Sequence, residues 1–185
     1  MGAPGVVISK SYFENKGIGI AIWDMGRENI TVQNNVFYNT SVKDNWASGA
    51  AIYIDNSRTW NFKNIRIFNN VFDTHKVMVR IKGNKVNNVY IRNNAFLNST
   101  LWDIQAEGSS ILSTHNLKYS TDPFWYVSGV TTEASNLLAN PAIFGVGNRW
   151  DSFYKPTANS MLIDKGIDVG SPFNGAAPDI GWIEY

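Results

Sequence analysis

Ile65–Phe72 has the sequence IRIFNNVF, and this stretch decides the fold. Its isoleucines alternate with other residues, which is typical of a half-buried β-strand. The Asn-Asn pair then predicts a bend, because asparagine tolerates left-handed backbone conformations, and an apolar pair follows. Similar segments begin at Val6, Ile30 and Val89, and a weaker copy begins at Ile111.

The spacing of these segments is that of a solenoid. Their shared phenylalanine recurs at steps of about 24, 35 and 24 residues, at Phe13, Phe37, Phe72 and Phe96. A second alternating strand lies between the copies. Several short strands in each repeat, with no helical stretch, predict one turn of a parallel β-helix with rungs about 4.8 Å apart. The second strands are GIAIWD from Gly19, AAIYID from Ala50, VMVRIK from Val77 and LWDIQAE from Leu101.

Composition excludes several classes of function. The 185 residues carry 16 Lys and Arg against 15 Asp and Glu, a net charge of +1, so neither nucleic acid nor an anionic membrane is an expected partner. The absence of cysteine excludes disulfides, thiolate chemistry and cysteine-ligated metals. No apolar run approaches the roughly 20 residues of a membrane span, and MGAPGVVISK does not resemble a signal peptide.

The NNVF-type repeat resembles the right-handed parallel β-helix of the pectate-lyase-like superfamily, which includes pectate lyases, polygalacturonases, alginate lyases, epimerases and phage tailspikes. The tail, with LANPAIF from Leu138 and SMLIDKGIDVGSPFNGAAPDIGWIEY from Ser160, is similar to the closing segment of bacterial β-helix repeat proteins. These commonly end in a pattern close to A-I-D-x-G…A-P-D-I-G-x-x-E. The match is carried by Ile163, Asp164, Gly166, Pro178, Asp179, Ile180, Gly181 and Glu184.

We therefore predict an all-β fold, a short right-handed parallel β-helix of about five coils with an irregular C-terminal cap. Residues 1–120 form the coils, and residues 121–185 pack on the last coil within one compact domain. MGAPG is too short to cover an open first rung, so an upstream domain or another subunit, as in a homo-oligomer, is expected there. The resemblance to bacterial proteins implies a secreted or cell-surface location.

The outward residues of the second strands predict the functional surface, since a solenoid stacks outward side chains into columns. Alignment of the inner isoleucines puts Ala21, Tyr53, Arg80 and Asp103 in one column. A second column holds Trp23, Asp55, Lys82 and Gln105, with Asp24 at a strand end. Aromatic rings can stack on sugars, and charged groups can bond hydroxyls or carboxylates.

Three interpretations of this face stay open. The columns can be a ladder of ion pairs that only stabilises the sheet. They can bind a polysaccharide, with Trp46 and Trp60 as further platforms on insertions that follow Phe37 and Asp55. They can also be catalytic. A second outward face, with Arg66, Phe68, Tyr90 and Arg92, has no carboxylate in its central rungs and could bind an anionic sugar.

The catalytic interpretation depends on VRIKGN from Val79, which is similar to the Arg-Ile-Lys motif of polygalacturonases. The resemblance implies that Arg80 and Lys82 hold a uronate carboxylate, with Asp24, Asp55 and Asp103 as acid, base or proton-transfer groups. Rungs place such carboxylates at about 5 or 10 Å, near the separations of glycosidases. The family's Asn-Thr-Asp, Asp-Asp and Gly-His-Gly motifs are absent. We therefore predict a carbohydrate-associated module that binds a polysaccharide along this face. The alternatives are a polysaccharide lyase or glycoside hydrolase that acts on a uronate-containing polymer, and a structural β-helix with no ligand.

Cofactor expectations follow from the same residues. No metal or cofactor is expected unless the chain is a lyase, in which case a calcium site of clustered carboxylates is required. His75 and His115 lie outside the predicted face, and we expect hydrogen-bonded structural roles for both. Asp164, Asp168 and Asp179 stand among glycines in the tail, where turns in a cap explain them as well as a cation does.

Overall fold

The computed structural model describes residues 5–14, 17–23, 28–39, 49–56, 61–107, 110–120, 126–127, 130–132, 135–143 and 153–185. These residues contain seventeen β-strands and no helix. In chain order the strands are β1 Val6–Ser9, β2 Tyr12–Glu14, β3 Ile20–Trp23, β4 Glu28–Gln33, β5 Val36–Tyr38, β6 Ala50–Asp55, β7 Phe62–Phe68, β8 Val71–Asp73, β9 Val77–Lys82, β10 Val86–Arg92, β11 Ala95–Leu97, β12 Trp102–Ala106, β13 Ile111–Thr114, β14 Leu117–Tyr119, β15 Tyr126–Val127, β16 Val130–Thr132 and β17 Leu137–Leu138.

Every third strand pairs in parallel, so the chain winds into a parallel β-helix. Sheet A contains β1, β4, β7, β10, β13 and β16; sheet B contains β2, β5, β8, β11, β14 and β17; sheet C contains β3, β6, β9, β12 and β15. Each coil runs from sheet A through a corner to sheet B and then to sheet C, and Asn-Asn pairs form the corners that follow β4, β7 and β10. The predicted β-helix is confirmed, and its number of coils is close to five.

The Asn-Asn pairs make the corner between sheets A and B, and the two asparagines have different tasks. The first adopts a left-handed backbone, with φ of 53° at Asn34 and 52° at Asn69. The second points into the interior, where Asn70 Oδ1 accepts the Asn35 N–H at 3.0 Å and its Nδ2 donates to Val32 O at 3.0 Å. A buried amide ladder thus satisfies the backbone at each corner.

Stacked phenylalanines fill the interior beside this ladder. Adjacent rings are nearly parallel, with centroids 4.7, 4.9 and 5.2 Å apart along Phe13, Phe37, Phe72 and Phe96. These distances match the spacing of strands in a sheet, so each coil places its ring directly against the ring of the next. The repeated phenylalanine in the sequence is therefore the core residue of sheet B.

The C-terminal segment packs along the side of the β-helix. Phe153, Leu162 and Ile180 are buried against the outer side of sheet B. Phe153 contacts Tyr12 in the first coil, with ring centroids 5.4 Å apart. The sequence predicted packing on the last coil; residues 153–185 instead cover an apolar outer face that spans the coils. The strands also continue beyond residue 120, to Leu138.

Hydrogen bonds made by the tail explain which residues its ending contains. Asp179 Oδ1 accepts the Asp164 N–H at 2.9 Å, and Asp179 Oδ2 accepts the Tyr185 N–H at 2.7 Å. Gly181 has φ of 118°, and its N–H donates to Asn93 O at 2.8 Å. The ending thus fastens the tail to an asparagine corner, and its carboxylates are acceptors for the backbone.

The first coil presents strands β1, β2 and β3 at one end of the sheets. Val6 is paired with the buried Ile30, yet Val6 is 50% exposed. The upstream domain or subunit expected at this end stays a prediction.

Candidate functional site

The outer side of sheet C carries the aromatic and charged residues that the sequence singled out. We call it the sheet C face and define it by Trp23, Tyr53, Asp55, Arg80, Lys82, Trp102, Gln105 and Glu107. The register confirms most of the predicted columns: Ala21 pairs with Tyr53 and Tyr53 with Arg80, while Trp23 pairs with Asp55 and Asp55 with Lys82. Two of the proposed residues, Asp24 and Trp46, lie outside the described residues, as does Trp60.

Tyr53 is the centre of this face. Its hydroxyl donates to Asp55 Oδ2 at 2.6 Å, and the Arg80 guanidinium carbon lies 5.9 Å from its ring centroid. The Trp23 ring meets it edge-on, with centroids 6.4 Å apart. Burial, followed by the bond to Asp55, raises the pKa of Tyr53 to about 12, so the hydroxyl stays a neutral donor.

Trp23 is the exposed aromatic of the face. Its side chain is 48% exposed, whereas Tyr53 beneath it is 6% exposed. The buried tyrosine therefore supports a tryptophan that offers its surface to solvent. An exposed ring held by a fixed neighbour is a platform on which the apolar side of a sugar can stack.

The predicted place of Asp103 is wrong. Sheet C pairs Gln105, not Asp103, with Arg80, and Ile104 with Val79. Asp103 is 0% exposed and points into the interior, in register with the core residue Met78. The register of β12 against β9 therefore differs by two residues from the sequence alignment, which had paired Ile104 with Ile81. Asp103 is no longer a candidate catalytic residue.

A buried ion pair occupies the interior where Asp103 lies. Lys118 Nζ is 2.7 Å from Asp103 Oδ2, and both side chains are almost fully buried. Lys118 pairs with Phe96, so it takes the next position in the phenylalanine stack. Burial raises the pKa of Asp103, and Lys118 opposes that shift. This pair is structural and has no access to a polymer outside the β-helix.

The corrected register adds two residues that the sequence reasoning missed. Trp102 pairs with Val77 and packs on the outside, beside Tyr53, instead of pointing inward. Glu107 continues the column of Asp55 and Lys82, since its N–H donates to Ile81 O at 2.9 Å. Its Oε2 lies 3.4 Å from the Gly83 nitrogen, and its charge contributes to the raised pKa of Tyr53. Val77 and Trp102 are both apolar, and each precedes two residues that point inward. Alignment of these two residues in the sequence could have revealed the two-residue shift in register.

The acidic groups do not form a metal site in the described ranges. Asp55 and Glu107 stand on either side of Lys82 in their column, and the part of the chain that is described holds no group of three or more His, Asp or Glu that could bind a metal. The calcium-dependent lyase stays a prediction, and Asp24 is outside these ranges. His75 is buried, and its Nε2 donates to Phe37 O at 2.9 Å, as expected of a structural residue.

The outer side of sheet A differs in charge. Arg66 is exposed, and the Arg92 guanidinium carbon lies 5.1 Å from the Tyr90 ring centroid. Phe68, which was expected on this face, is buried. Glu28 pairs with Lys63 at the start of strands β4 and β7, so one pair of opposite charges also stands on this side.

Comparisons with known proteins support the fold. Scans against protein-family models and against curated proteins find no match. Among solved structures, the chain is similar to the "Crystal structure of pectate lyase Pel9A", with a TM-score of 0.60 and 17% sequence identity; the match covers 96% of this chain and 50% of that chain. The chain thus spans half the length of the structure it matches, and it has the pectate-lyase-like parallel β-helix fold. No described helix is long and apolar enough to cross a membrane.

Proposed function

We propose that the chain is a carbohydrate-associated β-helix module that binds a polysaccharide along the sheet C face. The observation that carries the proposal is the exposed Trp23 ring supported by Tyr53, with Asp55 and Arg80 held beside it. Rings give apolar contact with sugar faces, and fixed charged groups give directional bonds to hydroxyls. The fold shared with a pectate lyase is consistent with a polysaccharide-associated role.

The shape of the face also suits a polymer. Strands β3, β6, β9 and β12 stack side by side, so the face runs along several rungs at about 4.8 Å each. A sugar chain lying along the stack would meet Trp23 on β3, Arg80 on β9 and Gln105 on β12. Such a ligand would place the protein outside the cell or at its surface, and this location stays a prediction.

Catalysis has weaker support than binding. Asp103 is inside the β-helix, and the Asp55 carboxylate accepts a hydrogen bond from Tyr53. A lyase or hydrolase would need acid and base groups that converge on one bond of the substrate. An enzyme is therefore the alternative function, and the binding experiment includes an assay that detects it. A purely structural β-helix would bind no polymer in that experiment.

The test is retention of the protein on a panel of neutral and acidic polysaccharides, with and without calcium, together with an assay for new reducing or unsaturated ends. We expect retention without new ends. Trp23→Ala should weaken retention about fivefold, since stacking contributes on the order of 1 kcal/mol.

The matched control is Tyr119→Ala, which removes an aromatic side chain of similar exposure, 44%, from sheet B. It should leave retention unchanged. Equal losses in both variants would contradict a site on the sheet C face. New ends that disappear in Asp55→Ala and Arg80→Ala would show an enzyme instead.

A further inference from the structure

The charges of the sheet C face are balanced in the described residues. Asp55 and Glu107 carry negative charge, and Arg80 and Lys82 carry positive charge. The outer side of sheet A gives the contrast, because Arg66 and Arg92 stand there without an acidic neighbour in their strands. A surface that selects a polyanion needs an excess of cations, as electrostatic complementarity requires.

The positions of the charges matter more than their sum. Lys82 pairs with Asp55 on one side, and Glu107 follows it on the other. Neighbouring strands lie about 4.8 Å apart, so a carboxylate that approached Lys82 would come close to two acidic side chains. Repulsion from these two groups would offset the attraction to the single cation.

Arg80 also has a partner within the face. Its guanidinium lies against the Tyr53 ring, whose hydroxyl is bonded to Asp55. The positive charge therefore stands beside a tyrosine–carboxylate pair of opposite sign. What this face offers in addition is neutral: the exposed Trp23 ring, Trp102 and the Gln105 amide.

We infer that the sheet C face binds an uncharged polysaccharide and discriminates against polyuronates. The inference rests on the proposed function, since it names the class of polymer bound at that same site. It differs from the substrate implied by the Arg-Ile-Lys resemblance, and the difference comes from Glu107, which the shifted register brings beside Lys82.

The experiment compares polymers that share a backbone and differ only in charge. The probes are polygalacturonate and its fully methyl-esterified form, alginate and its carboxyl-reduced form, and a set of neutral glucans, mannans and galactans. Affinity is measured by electrophoresis in gels that contain each polymer, at low and at moderate salt. We expect binding to one or more uncharged polymers, at least tenfold weaker binding to the matched acid, and little effect of salt.

Each outcome is decisive. Retention by the acidic polymers alone would overturn the inference and leave polysaccharide binding intact. Retention by an uncharged polymer, and not by its acidic counterpart, supports the inference. Binding to none of the polymers would refute the proposed function, and the inference would fall with it.

Substitution of Glu107 tests the mechanism directly. Glu107→Gln removes one of the two acids beside Lys82 at an exposed position, and it should raise affinity for polygalacturonate about fivefold at low salt. Glu28→Gln makes the same change in net charge at an exposed position in sheet A and should have no such effect. An equal gain in both variants, or no gain in Glu107→Gln, would show that the column does not set the selectivity.

Discussion

The interior of the β-helix and the sheet C face come from the same coils, and they differ in how side chains repeat. In the interior, one column holds Phe13, Phe37, Phe72 and Phe96. On the sheet C face, one column holds Ala21, Tyr53, Arg80 and Gln105. Interior side chains pack against the coils on both sides, so their shapes must match, whereas outer side chains face solvent and are free to vary. Repetition therefore records folding, and variation along a column indicates a surface available for function.

The ion pair of Asp103 and Lys118 interrupts the apolar columns of the interior. Its disruption should cause the largest loss of stability. Lys118→Met would leave the Asp103 carboxylate buried without its cation and lower the free energy of unfolding by about 3–5 kcal/mol. Replacement of both, Lys118→Phe with Asp103→Met, extends the columns of Phe96 and Met78. That double variant should be as stable as the wild type or more stable by about 1–4 kcal/mol.

Urea denaturation of the single and double variants measures this difference. A double variant less stable than Lys118→Met would mean that the last coils cannot accept the apolar columns of the earlier ones. The contrast between a repetitive interior and a varied outer face would then need revision.

His75 lies in the corner between sheets B and C and gives the next largest effect. Burial lowers its pKa from 6.5 to about 4. The unfolded chain binds this proton near pH 6.5, and the folded chain binds it only near pH 4. The contribution of neutral His75 to the free energy of unfolding is therefore fully present above about pH 6.5 and is lost as the pH falls to 4. The loss amounts to about 3 kcal/mol.

The variant His75→Gln isolates this contribution, since glutamine can still donate to Phe37 O and does not titrate. The free energy of unfolding, measured by denaturant titration between pH 4 and 7.5, should fall less steeply in the variant than in the wild type. Identical pH dependence in the two proteins would show that His75 has the same pKa in the folded and unfolded chains, which would contradict the prediction.

Lys82→Met gives the smallest expected effect and makes the same chemical change as Lys118→Met. Lys82 is half-buried on the outer face, between acidic residues of neighbouring strands. Pairs of this kind contribute little, so the free energy of unfolding should change by less than about 1 kcal/mol. Thermal unfolding of the two variants side by side compares the regions directly, and equal losses would remove the distinction drawn between them.

The repeat itself could be predicted from the sequence because it follows from local properties. Asn34 and Asn69 adopt the left-handed backbone that asparagine tolerates, and Asn35 and Asn70 form the buried ladder. The apolar alternation in β4, β7 and β10 likewise matches their buried residues. The columns of Tyr53 with Arg80 and of Asp55 with Lys82 followed from the same alternation and were correct.

The error at Asp103 has a physical cause in the strands of sheet C. Two successive residues point inward near the start of β6 and β9, at Ala51 with Ile52 and at Met78 with Val79. Strict alternation cannot represent this feature, so counting from Ile104 placed Trp102 inside and Asp103 outside. Because of the same two-residue shift, the sequence did not show that Glu107 lies beside Lys82 and balances the charges of the face.

The sequence by itself determined the parallel β-helix, its asparagine corners and the strands that supply the sheet C face, because these depend on residue periodicity and turn chemistry. Only the tertiary structure decided that Asp103 and Lys118 meet in the interior, that residues 153–185 lie along sheet B, and that Glu107 joins Lys82. Each of these depends on which residues of distant coils stand opposite one another. That register is set by packing between rungs, which no single strand contains in its own sequence.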